Sequence, residues 1–180
     1  MSQTSTETGP VLSHFGVFCR DLDAMVAFYS GVFGMKVTDR GEGHTMPFTI
    51  AFMSGSPRQH HQLALASGRG ANDPSTVMQI SFKVKDLDAL RESRRRAEAA
   101  GATNLRGLNH GNALSIYFSD IEDNTVEVYL DTPWYVAQPH GDPLDLGRPD
   151  GEIWAETERI CRADPTFMTV EEWQRKFEEA

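Results

Sequence analysis

The sequence has few cysteines, few basic residues and no long apolar run. Its two cysteines, Cys19 and Cys161, have no CxxC spacing, which indicates a reduced, cytoplasmic protein with both thiols buried as apolar side chains. It has 17 lysines and arginines against 26 acidic residues, a net charge of −9, so no nucleic-acid partner is expected. No run reaches membrane-spanning length, so no membrane partner is expected. The polar start "MSQTSTETGP" has no apolar segment of the kind a signal peptide needs.

Two stretches of the chain repeat one pattern. "LSHFGVFCRDLDAM", Leu12 to Met25, and "VMQISFKVKDLDAL", Val77 to Leu90, each carry an alternating run, then Asp-Leu-Asp-Ala and a long apolar side chain. The alternation is typical of a strand, and the first aspartate can cap a helix. Three strand-like segments follow each helix: "MKVTDR", "FTIAFM" and "HQLALA", then "TNLRG", "ALSIYF" and "TVEVYL". The sequence therefore predicts a βαβββ module used twice.

The predicted fold class is α+β, with two βαβββ modules forming a curved mixed sheet around a central cleft, plus a helical C-terminal extension. We expect a disordered N-terminus at 1–10, modules at 11–66 and 77–132, and a C-terminal arm with helices at 133–180. The Gly- and Pro-containing stretch "SGRGANDPST" separates the modules. In the tail, Thr169 and Glu172 form a capping box. The tail helices either cover the sheet or build a homodimer.

Strand parity predicts which side chains face the helices. The helix-facing positions are Phe15, Val17 and Cys19 in the first strand and Ile80, Phe82 and Val84 in the second. His14 and Gln79 then point to the opposite, enclosed face of each sheet. A polar side chain on such a face needs a partner.

Further polar residues fall on or near neighbouring strands. They are His60, His61, His110, Tyr117 and Glu127. Glu127 lies between Val126 and Val128, so it faces away from the apolar side and is either solvated or liganded. Taken singly, each residue has a simpler structural explanation, such as a core histidine or amphipathic packing, and only the combination favours a site. His44 and His140 fall in predicted loops and are expected to be solvated.

These residues, in this order, resemble the vicinal oxygen chelate superfamily, and within it type I extradiol ring-cleaving dioxygenases. The resemblance rests on "LSHFGVFCRDLDAMVAFYSGVFGM", "QHHQLAL", "NHGNALSIYF" and "NTVEVYLDTPW". It implies that His14 and Glu127 are metal ligands and that Gln79 takes the place of the second histidine ligand. One turn, "DIEDN", departs from the family pattern, and Asn124 is expected to take the left-handed conformation there.

The resemblance also implies catalytic roles. His61 matches the acid–base histidine, Tyr117 the tyrosine that hydrogen-bonds the substrate, and His110 a histidine of the substrate pocket. The implied cofactor is Fe(II), held by two histidines and a carboxylate in that family. Because the amide oxygen of Gln79 is a harder donor than imidazole nitrogen, iron affinity is expected to fall and Mn(II) to be better tolerated.

The expected function is a metal-dependent extradiol-type dioxygenase whose partners are a small aromatic diol, or another chelating small molecule, and O2. One alternative is a glyoxalase-type lyase or isomerase, which wants a second carboxylate in the fourth strand, where "HHQLALA" has none. Another is a non-catalytic protein that sequesters an antibiotic or another small ligand. Such a protein has no need of the combination of His14, His61, Tyr117 and Glu127.

Overall fold

The computed structural model describes residues 11–179, so the segment 1–10 that we predict to be disordered lies outside the described residues. The helices of this range are α1 (Leu22–Phe33), α2 (Leu87–Ala99), α3 (Asp150–Ala163) and α4 (Val170–Glu178). The longer strands are β1 (Phe15–Cys19), β2 (Lys36–Glu42), β3 (Thr49–Ser54), β4 (Leu63–Ser67), β5 (Ile80–Lys83), β6 (Thr103–Asn109), β7 (Ala113–Ser119) and β8 (Thr125–Asp131). Three short strands follow them: β9 (Trp134–Tyr135), β10 (Asp142–Pro143) and β11 (Met168–Thr169).

The chain divides into two compact units, with the boundary between Asp73 and Pro74. Unit 1 contains β1 to β4 with α1, and unit 2 contains the second module and the C-terminal elements. Each unit has its own main sheet, ordered β1-β4-β3-β2 in unit 1 and β10-β6-β7-β8-β5 in unit 2. In both sheets the first strand of the module runs parallel to the last, and the other pairs are antiparallel. The predicted α+β class and the repeated βαβββ order are confirmed.

The repeated Asp-Leu-Asp-Ala motif begins both module helices. Asp21 accepts a hydrogen bond from the amide of Ala24 at 2.9 Å, and Asp86 accepts one from the amide of Ala89 at 2.8 Å. These are N-caps, which satisfy amides left free in the first turn. Gly34 ends α1 with a φ of 66°, a left-handed conformation that glycine adopts without steric cost.

Helix-facing and opposite sides of the sheets follow strand parity. Val17 and Cys19 of β1 and Ile80 of β5 are buried. Helix α1 contacts β3 and β4 of unit 1, and α2 contacts β6, β7 and β8 of unit 2. Phe15, at the beginning of β1, is 39% exposed, so only the later part of that strand is fully covered. The side chains that alternate with these positions lie on the other side of each sheet.

The C-terminal extension packs within unit 2. Strand β10 adds to the edge of the sheet beside β6, and α3 buries the side chains of Ile153, Thr157 and Cys161. Helix α4 begins at the predicted capping box, with both hydrogen bonds between Thr169 and Glu172 present, and it has no buried residue. Both cysteines are free and buried, as predicted.

Two local predictions are wrong. In the turn before β8 the left-handed residue is Asp123, with a φ of 67°, and not Asn124. Asn124 instead uses its side chain to bind Asp120 and Ser75. The side chain of His140 is 18% exposed and not solvated, because it lies near Asp142 of β10 and Asp164 at the end of α3. Across residues 11–179 no helix is long and apolar enough to cross a bilayer.

Candidate active site

Glu127 lies at the centre of a polar face on the sheet of unit 2. Its neighbours in β8, Val126 and Val128, are fully buried on the other face. The strand register places Glu127 opposite Tyr117 of β7 and Ser81 of β5. Residues directly opposite in adjacent strands project to the same side of a sheet. The polar face is thus a product of strand alternation and register.

The Glu127 carboxylate accepts four hydrogen bonds. Its Oε1 accepts from the Tyr117 hydroxyl at 2.6 Å and the Ser115 hydroxyl at 2.9 Å. Its Oε2 accepts from Nε2 of Gln79 at 2.6 Å and the Ser81 hydroxyl at 2.8 Å. Glu127 is only 8% exposed, and all four donors are neutral. Within residues 11–179 the basic side chain recorded beside it is His110, whose Nε2 lies 4.0 Å from Oε1 and makes no hydrogen bond to it. A buried carboxylate held by neutral donors suits a bound cation.

Tyr117 connects this carboxylate to His110. Nε2 of His110 lies 3.0 Å from the Tyr117 hydroxyl oxygen. Nδ1 of His110 lies 2.6 Å from the backbone oxygen of His140. Burial, followed by the hydrogen bond to Glu127, raises the pKa of Tyr117 above its ordinary value. The phenol is therefore protonated over the physiological range and acts as a donor.

Counting protons shows what the chain from His140 through His110 and Tyr117 to Glu127 requires. It has three short contacts, and each needs one proton between its two heavy atoms. A neutral imidazole and a phenol supply only two. The carbonyl of His140 can only accept, so Nδ1 of His110 carries one of them. With a neutral His110 and an ionised Glu127, the network is therefore one proton short, and an added proton, cation or substrate hydroxyl can complete it.

Two side chains of this group, Glu127 and Gln79, carry oxygen atoms of the kind that a hard divalent metal binds. The side-chain amide of Gln79 donates both its hydrogens, to Glu127 and to the Ser81 hydroxyl at 2.7 Å. Rotating the amide by half a turn brings its oxygen, a hard donor suited to Mn(II) or Mg(II), to the same side. A metal on Glu127 would replace at least one of the four hydrogen bonds. Within residues 11–179 there is no group of three or more His, Cys, Asp or Glu side chains arranged for a metal.

In unit 1 a second polar group forms just before β4. The rings of His14 and His61 lie 4.1 Å apart between centroids, and His61 lies 4.8 Å from Phe52. Nδ1 of His61 is 2.9 Å from Nδ1 of His60, whose Nε2 is 2.7 Å from Oδ2 of Asp39. Burial, followed by the nearby imidazoles of His14 and His60, lowers the pKa of His61. His61 is thus neutral at physiological pH.

The predicted site residues fall into two groups. Unit 2 brings together Gln79, His110, Tyr117 and Glu127, and unit 1 brings together His14 and His61. The sequence interpretation missed Ser81, Ser115 and Asp39. The two serines had a signal, since Ser81 lies two positions after Gln79 and Ser115 two positions before Tyr117, a spacing that points extended side chains the same way. The sequence has no such signal for Asp39, because a β-bulge sets its position.

The chain matches the family model described as the glyoxalase/bleomycin resistance protein/dioxygenase superfamily over residues 11–128. No curated protein matches the sequence. Among solved structures, it is similar to the fosfomycin resistance protein FosX from Listeria monocytogenes, crystallised with Mn(II) and sulfate. The identity is 19%, the TM-score is 0.53, and the match covers 71% of this chain and 95% of that one.

Two further structures are similar at comparable levels. FosX from Mesorhizobium loti has 24% identity and a TM-score of 0.53, with 71% of this chain and 94% of that one covered. A glyoxalase/bleomycin resistance protein/dioxygenase domain from Frankia sp. EAN1pec has 22% identity and a TM-score of 0.56, with 74% and 96% covered. At these identities the structures share the fold.

Proposed function

Because the chain belongs to the glyoxalase/bleomycin resistance protein/dioxygenase superfamily, we propose that it is a divalent-metal-dependent dioxygenase that cleaves a small catechol-like substrate. The observation that carries the proposal is the buried carboxylate of Glu127, which has only neutral donors around it. A bound Fe(II) or Mn(II) would supply the Lewis acid and the oxygen chemistry. The proposed ligands in unit 2 are Glu127 and Gln79.

Tyr117 and His110 are the proposed contacts to the substrate oxygens. Their hydroxyl and Nε2 atoms lie 3.0 Å apart, on the same side of the sheet as Glu127. A phenol kept protonated by its raised pKa donates to an ionised substrate oxygen. The substrate's remaining hydroxyl, or its proton, supplies what the three-contact network needs. The residues therefore favour a ligand with two adjacent oxygens.

His61 is the proposed proton carrier. Its pKa is lowered, so it is neutral at physiological pH and can accept a proton. The glyoxalase-type alternative needs a carboxylate in β4, and β4 has the sequence Leu-Ala-Leu-Ala-Ser. The sequestering alternative does not account for a carboxylate held by four donors. Both are weaker explanations than a dioxygenase.

A second candidate follows from Arg106 of β6. Its guanidinium carbon lies 5.0 Å from the centroid of the Tyr117 ring, so one positive charge borders the Glu127 group. An anionic substrate that reacts without O2 would use that charge. One similar structure is a FosX variant from Listeria monocytogenes complexed with Mn(II) and 1S,2S-dihydroxypropylphosphonic acid, an anion with two adjacent hydroxyls. This candidate predicts turnover that consumes no oxygen.

The test combines metal analysis with an oxygen electrode. Protein purified anaerobically and reconstituted with Fe(II) or Mn(II) is expected to hold one metal per chain and to consume oxygen with members of a catechol panel. Glu127→Ala should lose the metal, because it removes the only charged ligand. Asp131→Asn is the matched control, since it also removes a carboxylate from β8, one that is 54% exposed and paired with Lys83. Equal metal content in wild type and Glu127→Ala would contradict the metal assignment. Bound metal without oxygen uptake on any catechol would favour the second candidate.

A further inference from the structure

The segment that carries His60 and His61 is fixed at both ends. On one side, Nε2 of Gln59 donates to the backbone oxygen of Ser13 at 2.7 Å. On the other, the amide of Gln62 donates to the backbone oxygen of Met53 at 2.9 Å, and its side-chain oxygen accepts from the amide of Gly55 at 3.0 Å. The two imidazoles therefore stand on anchored backbone.

A β-bulge brings Asp39 to these histidines. Val37 of β2 pairs with Met53 of β3, but the next pair is Asp39 with Phe52, so Thr38 is the extra residue. A bulge re-aims the side chains that follow it. Here it moves Asp39 to the face of Phe52, where His61 also lies. Without the bulge Thr38 would occupy that position, and this is why the sequence alone does not reveal Asp39.

When both imidazoles are neutral, the contacts from Asp39 to His61 need two protons, and the two rings supply two. The Asp39 carboxylate can only accept, so Nε2 of His60 carries a proton. The Nδ1 atom of neutral His60 then accepts, and Nδ1 of His61 donates to it across 2.9 Å. His61 has one proton when neutral, so its Nε2 is a bare lone pair. No residue in the range 11–179 forms a hydrogen bond with that nitrogen.

We propose that Asp39 and His60 are positioning residues that hold His61 in the Nδ1–H tautomer and present its Nε2 as a free base or ligand nitrogen. Carboxylate–imidazole pairs fix tautomers in this way in both metal and acid–base sites. The inference deepens the proposed role of His61 and rests on it for its catalytic meaning. The tautomer itself can be measured without any activity.

The experiment records long-range 1H–15N correlation spectra of 15N-histidine-labelled protein at about pH 8, above the ordinary histidine pKa of about 6.5. In wild type, Nδ1 of His61 should resonate as a protonated nitrogen and Nε2 as an unprotonated one. His60→Ala and Asp39→Ala should move Nε2 towards the protonated position, because the fixed acceptor is lost. Asp23→Ala is the control for the lost charge, and His44→Ala for the lost exposed imidazole; both should leave the pattern unchanged.

A protonated Nε2 in wild type, or the same His61 pattern in wild type and His60→Ala, would overturn the proposal. Catalysis is a separate readout. If the protein binds no metal and turns over no substrate but the tautomer shifts as described, the proposed function fails and the positioning role of Asp39 and His60 stands. If turnover is detected and the tautomer does not respond, the positioning role of Asp39 and His60 fails and the proposed function stands.

Discussion

The two modules share one strand order but carry opposite kinds of polar network. In unit 1, with both imidazoles neutral, the contacts from Asp39 through His60 to His61 have as many protons as they need. They end at the unprotonated Nε2 of His61. In unit 2 the contacts from His110 through Tyr117 to Glu127 have one proton fewer than they need when His110 is neutral and Glu127 is ionised. The first network is partly exposed, and the second surrounds a buried carboxylate.

The difference assigns complementary chemistry to the two copies. Unit 1 presents a lone pair that can accept a proton or bind a metal. Unit 2 presents an anion and hydrogen-bonding groups that a cation or a hydroxylated ligand would complete. A duplicated module thus keeps its backbone while its polar face changes with a few side chains, as His14 and Gln79 show at matching positions of the repeat.

The largest effect on turnover is expected when the proposed base of unit 1, His61, is removed. His61→Phe should leave metal content and substrate binding nearly intact and lower turnover by about two to four orders of magnitude, the usual contribution of general acid–base catalysis. Phenylalanine keeps an aromatic ring beside His14 and Phe52, whose rings lie 4.1 and 4.8 Å from that of His61. Steady-state oxygen uptake measures turnover, substrate titration measures binding, and elemental analysis measures metal content.

His44→Phe is the control for this change, since His44 is exposed and has no proposed role. It should retain wild-type turnover. Turnover that survives in His61→Phe would show that His61 is only a structural contact of His14, and the unit 1 network would then have no catalytic meaning.

Strand periodicity explains how much of this site the sequence could predict. The alternation places Gln79, Tyr117 and Glu127 on one face because side chains project with a period of two residues. The position of Asp39 depends on a β-bulge, and that of His140 depends on how the C-terminal arm packs. Neither the bulge nor the packing can be read from the local sequence pattern. The prediction for Asn124 is wrong because Asp also tolerates the left-handed conformation. The side chain of Asn124 is instead hydrogen-bonded to Asp120.

A second change gives unit 2 the histidine ligand that the proposed dioxygenase function implies. Gln79→His should tighten Fe(II) binding by about 1–3 kcal/mol, on the scale of the 10–100-fold effects of changing supporting groups at metal sites. The formal charge of the ligand set is unchanged, because a neutral imidazole replaces a neutral amide. Competition with a chelator measures the affinity, and an oxygen electrode with simple catechols measures activity, which should rise.

Gln174→His provides the control for added imidazole, because Gln174 is exposed on α4, a helix with no buried residue. If Gln79→His binds iron no better than wild type, Gln79 does not face the metal. If it binds iron better but remains inactive with every catechol, the ligand set stands and the substrate belongs to the second candidate class.

The smallest expected effect concerns another group that unit 2 buries, Cys161 on α3. Burial, followed by the negative charge of Asp164, raises the pKa of this thiol to about 11, whereas an unfolded cysteine titrates near pH 8.5. The folded state therefore favours the protonated thiol. Its contribution to stability is complete below the unfolded pKa and is lost as pH rises towards 11, by at most about 1.4 kcal/mol per pH unit. Urea unfolding at about pH 8 and pH 10 should show a smaller loss for Cys161→Ala than for wild type. Ile153→Val, which trims the same buried face of α3 without a titrating group, should lose as much as wild type, and equal losses in all three proteins would contradict the assignment.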